Sequence, residues 1–193
     1  MLDSVLVTGA TGFVASHIVD DLLLHGFKVI GTTRSKKKAV QFTHIFQEKY
    51  PELAQNITFE QIKDISNIDE VVTILRKFLD LKYIIHTAQP TPVGQLPKGT
   101  DLATTFRKPA VENSLGILNA VQSFPNHVKS IVFTSSISTM MRQPQPGEKV
   151  VITNTDWSPS SWEDVGDSES LAYNISKIYV EKAIWKWADT NKP

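Results

Sequence analysis

The stretch Val5-Leu6-Val7-Thr8-Gly9-Ala10-Thr11-Gly12-Phe13-Val14-Ala15 places two glycines between segments of different periodicity. Residues 2–8 form an apolar run that reads as a buried strand. Residues 13–24 carry Phe13, Val14, Ile18 and Leu22 at helical spacing and read as a helix. Gly9 and Gly12 leave the backbone between them bare. Such a turn lets the pyrophosphate of a dinucleotide approach closely and lie on the positive end of the helix. Ala15 stands where the third glycine of G-x-G-x-x-G would be. The same residues also suit a plain strand-to-helix turn, so the rest of the chain has to decide.

Strand and helix signals alternate from there on. The first helix ends near His25-Gly26, and further strands are predicted over 28–33, 57–62, 82–88 and 130–135. A helical stretch after the second strand stops at Pro51. Asn67 is placed to cap a helix whose apolar face is Ile68, Val71, Val72, Leu75, Phe78 and Leu79. Tyr83-Ile84-Ile85 suggests a strand buried on both faces. Helices are predicted over 109–123 and 171–189, with a long polar connection over 140–167. Five alternations predict an α/β fold, a doubly wound parallel sheet of Rossmann type, with residues 1–193 as one dinucleotide-binding domain.

Composition narrows the function. Formal net charge is zero over 193 residues, so no global field draws nucleic acid or an anionic membrane surface. No apolar stretch approaches the ~20 residues of a membrane helix. Cysteine is absent, which removes disulfides, thiol nucleophiles and thiolate metal sites and fits the cytoplasm. With the first strand expected directly after Met1, no signal or transit peptide is expected, and no histidine has metal-ligand spacing.

Open parallel sheets bind ligands beyond the carboxyl ends of their strands, and the candidate residues fall there. Arg34 closes the second strand. No acid lies between Asp21 and Glu48 to take a ribose 2′-hydroxyl, whereas Arg34 and Lys38 suit the extra phosphate of NADP. Lys36, Lys37 and Lys38 crowd a helix start, where each cation is disfavoured by roughly 0.3–1 kcal/mol. A bound anion removes that conflict; a solvated basic turn is the other reading. Asp64 and Ile65 follow the third strand, where Asp64 serves an adenine contact or a helix cap equally well. His86, Thr87 and Ala88 end the fourth strand, with His86 read as structural.

Tyr173-Asn174-Ile175-Ser176-Lys177 puts a tyrosine and a lysine on one helix face. An ammonium beside a phenol favours the phenolate and eases proton transfer near neutral pH. Ser136, after the fifth strand, is placed to donate to a carbonyl oxygen as charge builds on it. With a nicotinamide as reductant, these three residues reduce an aldehyde or ketone to an alcohol.

The stretches VTGATGFVASHIV, GTTRSKKKA, KDIS, IIHTAQP, VFTSS, DWSPSSWE and AYNISKIYVEKAIW together resemble an extended short-chain dehydrogenase/reductase of the epimerase/dehydratase superfamily. The likeness is to fungal NADPH-dependent aldehyde and ketone reductases of the methylglyoxal reductase type, relatives of dihydroflavonol reductases. It implies Ser136, Tyr173 and Lys177 as the catalytic residues. It also implies an NADP site lined by Gly9, Thr11, Gly12, Phe13, Val14, Arg34, Lys38, Asp64, Ile65, Thr87, Ala88, Tyr173 and Lys177. Three departures stand out. Gln89 replaces the serine of H-x-A-S-P, with Thr91 where an aromatic often follows. Glu112-Asn113 stands where the family has Asn-Gly. The family continues past Thr190-Asn191 into a sixth strand and a substrate domain, so the expectation is a C-terminally truncated reductase. Its unpaired sheet edge then invites self-association, with some of Phe133, Ile137, Trp157 and Trp162 facing solvent. Two other functions share the motifs: a dinucleotide-binding remnant without turnover, and an NAD-linked sugar epimerase or dehydratase.

Overall fold

The computed structural model describes residues 2–89, 94, 96–124, 128–142 and 147–191. The sheet is built outward from β1 (Ser4–Thr8), in which every residue is buried. β2 (Lys28–Thr33) and β4 (Leu81–His86) flank it in parallel, with Val5 opposite Val29 on one side and Tyr83 on the other. β3 (Ile57–Gln61) lies outside β2 and β5 (Ser130–Phe133) outside β4, giving the all-parallel order β3-β2-β1-β4-β5. The chain winds one way through β2 and β3 and then returns to the other side of β1. The carboxyl ends of β1 and β4 therefore border a topological switch point, the crevice where such sheets take their ligands. This is the doubly wound sheet that the alternation of signals predicts.

The chain divides into two compact units, Met1–Gln89 with Gly116–Thr134, and Pro90–Leu115 with Ser135–Pro193. The division falls inside one helix, α4 (Lys108–Ser123). In the first unit, alternation along β1 sends Val5 and Val7 to one face of the sheet and Leu6 to the other. Val5 and Val7 pack with Val19, Leu23, Val29 and Phe46, from α1 (Phe13–Leu24), β2 and α2 (Lys36–Lys49). Leu6 packs with Ile30, Ile84, Ile74, Leu75 and Ile117, which brings in α3 (Ile68–Lys77) and α4.

α1 buries a different stripe from the one its apolar residues suggest, while α3 and its C-cap pack Val71, Val72, Leu75 and Phe78 of the expected face on the core. On α1 the buried row is Ala15, Val19 and Leu23, while Phe13 is 83% and Val14 54% exposed. Phe13, Val14, His17, Ile18, Asp21 and Leu22 instead line, with Ile85 of β4, an open groove of about 400 Å³. β4 is accordingly only half covered at Tyr83 and Ile85. On α3 the buried residues are Val71, Ile74 and Leu75; the helix ends at Lys77, and Ile68 and Leu79 face solvent. The expected cap is present, since the Asn67 side chain accepts from the backbone N–H groups of Asp69 and Glu70. Asp69 and Glu70 at the start and Arg76 and Lys77 at the end suit the helix dipole.

In the second unit, a π-helical turn (Ala103–Arg107) leads into α4, and α5 runs from Glu169 to Thr190. Phe106, Val165, Ala172, Ile175 and Ile178 form its core. The Arg107 guanidinium lies over two rings, 4.9 Å from the centroid of Trp162 and 5.3 Å from that of Tyr179. Ile137 and Trp157 are 57% and 41% exposed, as expected of some residues in this region. Trp162 is half-buried against Arg107, and Phe133 packs edge-on to His86 in the first unit.

Candidate active site

The glycine turn has the geometry its residues call for. Gly9 has φ +65°, which a side chain strongly disfavours, and a Cβ there would lie 3.2 Å from the Cα of Ala88. A Cβ on Gly12 would lie 3.1 Å from the Gly9 carbonyl oxygen. The turn is pinned to β2, since Gly9 N–H donates to Thr32 Oγ1 and Ala10 N–H to the Thr32 carbonyl. Thr11 Oγ1 sits 3.1 Å from Thr33 Oγ1. Gly12 caps α1 without a side-chain bond, and the first turn of α1 carries no acid. A bare turn ending on uncapped helical N–H groups fits a dinucleotide pyrophosphate.

At the end of β4, one buried hydroxyl joins the two strand ends. Thr8 Oγ1 accepts from the backbone N–H groups of Thr87 at 3.0 Å and Ala88 at 3.1 Å, and it lies 2.9 Å from Nδ1 of His86. The Thr87 hydroxyl donates back to the Thr8 carbonyl. His86 is thus buried and bonded to the end of β1.

The basic segment opens α2. Ser35 caps the helix by accepting from Lys38 N–H, and Lys36, Lys37 and Lys38 fill a first turn without an acid. Arg34 and all three lysines are exposed, and none has an ion-pair partner among the described residues. Asp64 Oδ1 accepts from both the N–H and the hydroxyl of Ser66, an Asx turn ahead of α3. Ile65 is buried and packs its side chain into the core. Gln89 is half-buried, and Thr91 lies outside the described residues.

The second unit holds Ser136, Tyr173 and Lys177. Tyr173 and Lys177 share one face of α5, with the Lys177 ammonium 5.9 Å from the centre of the Tyr173 ring. Lys177 is only 6% exposed, and that burial holds its pKa below the ordinary lysine value. Ser136 caps the 3₁₀ turn Ile137–Thr139, and Ser138 in that turn reaches Asn174 of α5. Next to it, the Ser135 hydroxyl donates to Glu181. Glu112 lies on the exposed side of α4, 3.9 Å from Lys108 one turn earlier.

Residues 5–192 match the NAD dependent epimerase/dehydratase family. The chain belongs to that family. Among epimerase/dehydratase relatives, the NADPH-dependent methylglyoxal reductase Gre2 of Saccharomyces cerevisiae is 33% identical over 192 residues, 98% of this chain and 54% of its own length. A ketoreductase of Aspergillus niger is 31% identical, covering 98% of this chain and 53% of the relative. The crystal structure of Gre2 from Candida albicans in complex with NADPH superimposes with a TM-score of 0.85 at 30% identity, over 98% of this chain and 54% of that one. The chain thus spans about half the length of the curated relatives it matches. Among the described residues, no helix is long and apolar enough to cross a membrane.

Of the residues singled out in the sequence, the first unit gathers Gly9, Gly12, Thr87 and Ala88 around one turn, and the second gathers Tyr173, Lys177 and Ser136 on α5 and the adjoining 3₁₀ turn. Sequence reading missed Thr8, Ser138 and Asn174. A serine two residues after Ser136 is a local turn signal. Nothing local marks the partners of Thr8 or Asn174.

Proposed function

We propose that this chain carries the cofactor-binding and proton-transfer residues of an NADPH-dependent reductase that converts a small aldehyde or ketone to an alcohol. The observation that carries the reading is the Tyr173–Lys177 pair on α5, with the lysine buried. A phenol that must give up its proton gains from a nearby positive charge, and a lysine kept from water exerts its charge more strongly. NADPH, when bound, supplies the hydride to the carbonyl carbon. Tyr173 gives its proton to the carbonyl oxygen, Ser136 holds that oxygen by a hydrogen bond, and Lys177 supports the developing phenolate.

Gly9, Thr11, Gly12, Phe13 and Val14 are the residues we assign to the pyrophosphate turn, and Thr87 and Ala88 to its floor. Arg34 and Lys38 read the 2′-phosphate, Asp64 and Ile65 the adenine. The exposed, acid-free start of α2 supports NADP over NAD. The place of β5 at the end of the described sheet supports self-association, and the absence of cysteine suits a cytoplasmic setting.

Dinucleotide binding without turnover is the second reading, favoured by the surface pairing of Glu112 with Lys108. Calorimetry with NADPH and NADH, followed by turnover on small aldehydes and diketones including methylglyoxal, separates the two. The reductase reading expects NADPH-selective binding and turnover. Binding with no turnover across the panel selects the second reading, and preference for NAD revives an epimerase or dehydratase.

A further inference from the structure

Ser136, Ser138 and Asn174 are joined in one chain of hydrogen bonds. Ser136 Oγ accepts from the Ser138 N–H at 3.2 Å and lies 3.0 Å from Ser138 Oγ. Ser138 Oγ in turn lies 3.0 Å from Oδ1 of Asn174, the residue directly after Tyr173 on α5. The turn backbone is itself held. Thr139 donates through its hydroxyl to the Ser136 carbonyl at 2.9 Å, and Ser158 N–H donates to the Thr139 carbonyl at 2.7 Å. Only protons and one amide remain to be rearranged.

Each hydroxyl has a single proton, and a carbonyl oxygen only accepts. With Oδ1 facing it, Ser138 must send its proton to Asn174. Its oxygen then receives the proton of Ser136. In that state the Ser136 proton points along the chain and is withheld from a substrate carbonyl. A primary amide turned by half a revolution presents Nδ2 in the same space. It then donates to Ser138, whose proton passes to the Ser136 oxygen. That oxygen now accepts from both the hydroxyl and the N–H of Ser138, and its own proton is released outward. Asn174 is solvent-exposed, which leaves its amide room to turn. Chains of hydroxyls polarise one another, so all the protons reverse together.

We infer that Asn174, acting through Ser138, sets the direction of the Ser136 hydroxyl proton and so decides whether Ser136 can donate to a carbonyl oxygen. The inference rests on the reductase reading. Ser138 and Asn174 are positioning residues in it.

Asn174→Asp keeps the shape but leaves only acceptors, which fixes the Ser136 proton inward. With methylglyoxal as substrate, kcat is expected to fall roughly tenfold or more, toward the loss seen on removing an oxyanion donor, with NADPH affinity unchanged. In a Ser138→Ala background the chain is cut, so kcat is expected to be the same whether residue 174 is asparagine or aspartate. An equal loss in both backgrounds means that the new charge acts directly on Tyr173, and it overturns the inference. So does an unchanged kcat in Asn174→Asp. If the unmodified chain reduces no carbonyl, it is the reductase reading that has failed. A double-mutant cycle of Ser138→Ala and Asn174→Ala on thermal unfolding then judges the hydrogen-bond chain: coupled losses support it, and additive losses overturn it.

Discussion

The hydroxyl of Thr8 lies 2.9 Å from Nδ1 of His86, at the carboxyl ends of two neighbouring parallel strands. Both of its lone pairs are taken by the N–H groups of Thr87 and Ala88. The remaining hydrogen bond of the hydroxyl is the one it shares with Nδ1 of His86. The turn after β1 and the segment after β4 are thus tied through this fully buried residue, whose hydroxyl and carbonyl both bond to Thr87.

Thr8→Val keeps the shape and removes that oxygen, so the half-buried N–H groups of Thr87 and Ala88 lose their acceptor. Each such group costs about 1–3 kcal/mol, and we expect a loss of at least that size in urea denaturation, with weaker NADPH binding. Thr8→Ser, which keeps the hydroxyl, is expected to lose clearly less. Equal losses in both variants would mean that the methyl, and not the hydroxyl, matters.

Gly31→Ala tests the packing beneath the glycine turn. A Cβ at Gly31 would come within 2.8 Å of the Ala10 Cβ and 2.9 Å of the Phe59 ring. Overpacking of this kind costs about 1–3 kcal/mol. We expect a lower midpoint in thermal denaturation, since Ala10 belongs to the turn and has little room to give.

Arg34→Ala is expected to weaken NADP about ten- to a hundredfold and to leave NAD nearly unchanged. The estimate follows from the roughly 1.5–3 kcal/mol of a hydrogen bond to a charged group. Arg34 is exposed, and its carbonyl, not its side chain, accepts from Gln61, so the fold does not need the guanidinium. Equal weakening of both cofactors in calorimetry would remove Arg34 from phosphate recognition.

Burial lowers the pKa of Lys177 below 10.5, so the folded chain gives up this proton before the unfolded chain does. Below the folded pKa both states are charged and the folded state bears the cost of burying the charge. As pH rises through the folded pKa toward 10.5, the penalty disappears and stability is regained. The stability of the cofactor-free protein, measured against that of Lys177→Met, should therefore rise with pH across this window. Parallel stability curves for the two proteins contradict a buried, charged Lys177.

Local patterns carried the fold into the sequence. Strand runs, the Asn67 cap and the two glycines each depend on neighbours a few residues away. The pairing of Tyr173 with Lys177 is likewise a property of helical spacing. What escaped reading depends on distant partners. Thr8 meets His86 across 78 residues and Ser138 meets Asn174 across 36, and neither pair leaves a mark on its own segment. On α1, larger apolar side chains drew attention to Phe13 and Val14, yet the helix packs through smaller Ala15 as well as Val19 and Leu23. Ile18 and Leu22 of the expected face pack on the same cluster from its edge.

The central claim is that Tyr173 supplies the proton to a substrate carbonyl. Its most direct test compares NADPH oxidation by the unmodified chain and by Tyr173→Phe, with methylglyoxal and other small aldehydes. Loss of a positioned general acid lowers rates by roughly a hundred- to ten-thousandfold. We predict a loss in that range with NADPH affinity retained. Equal rates in the two proteins would contradict the account.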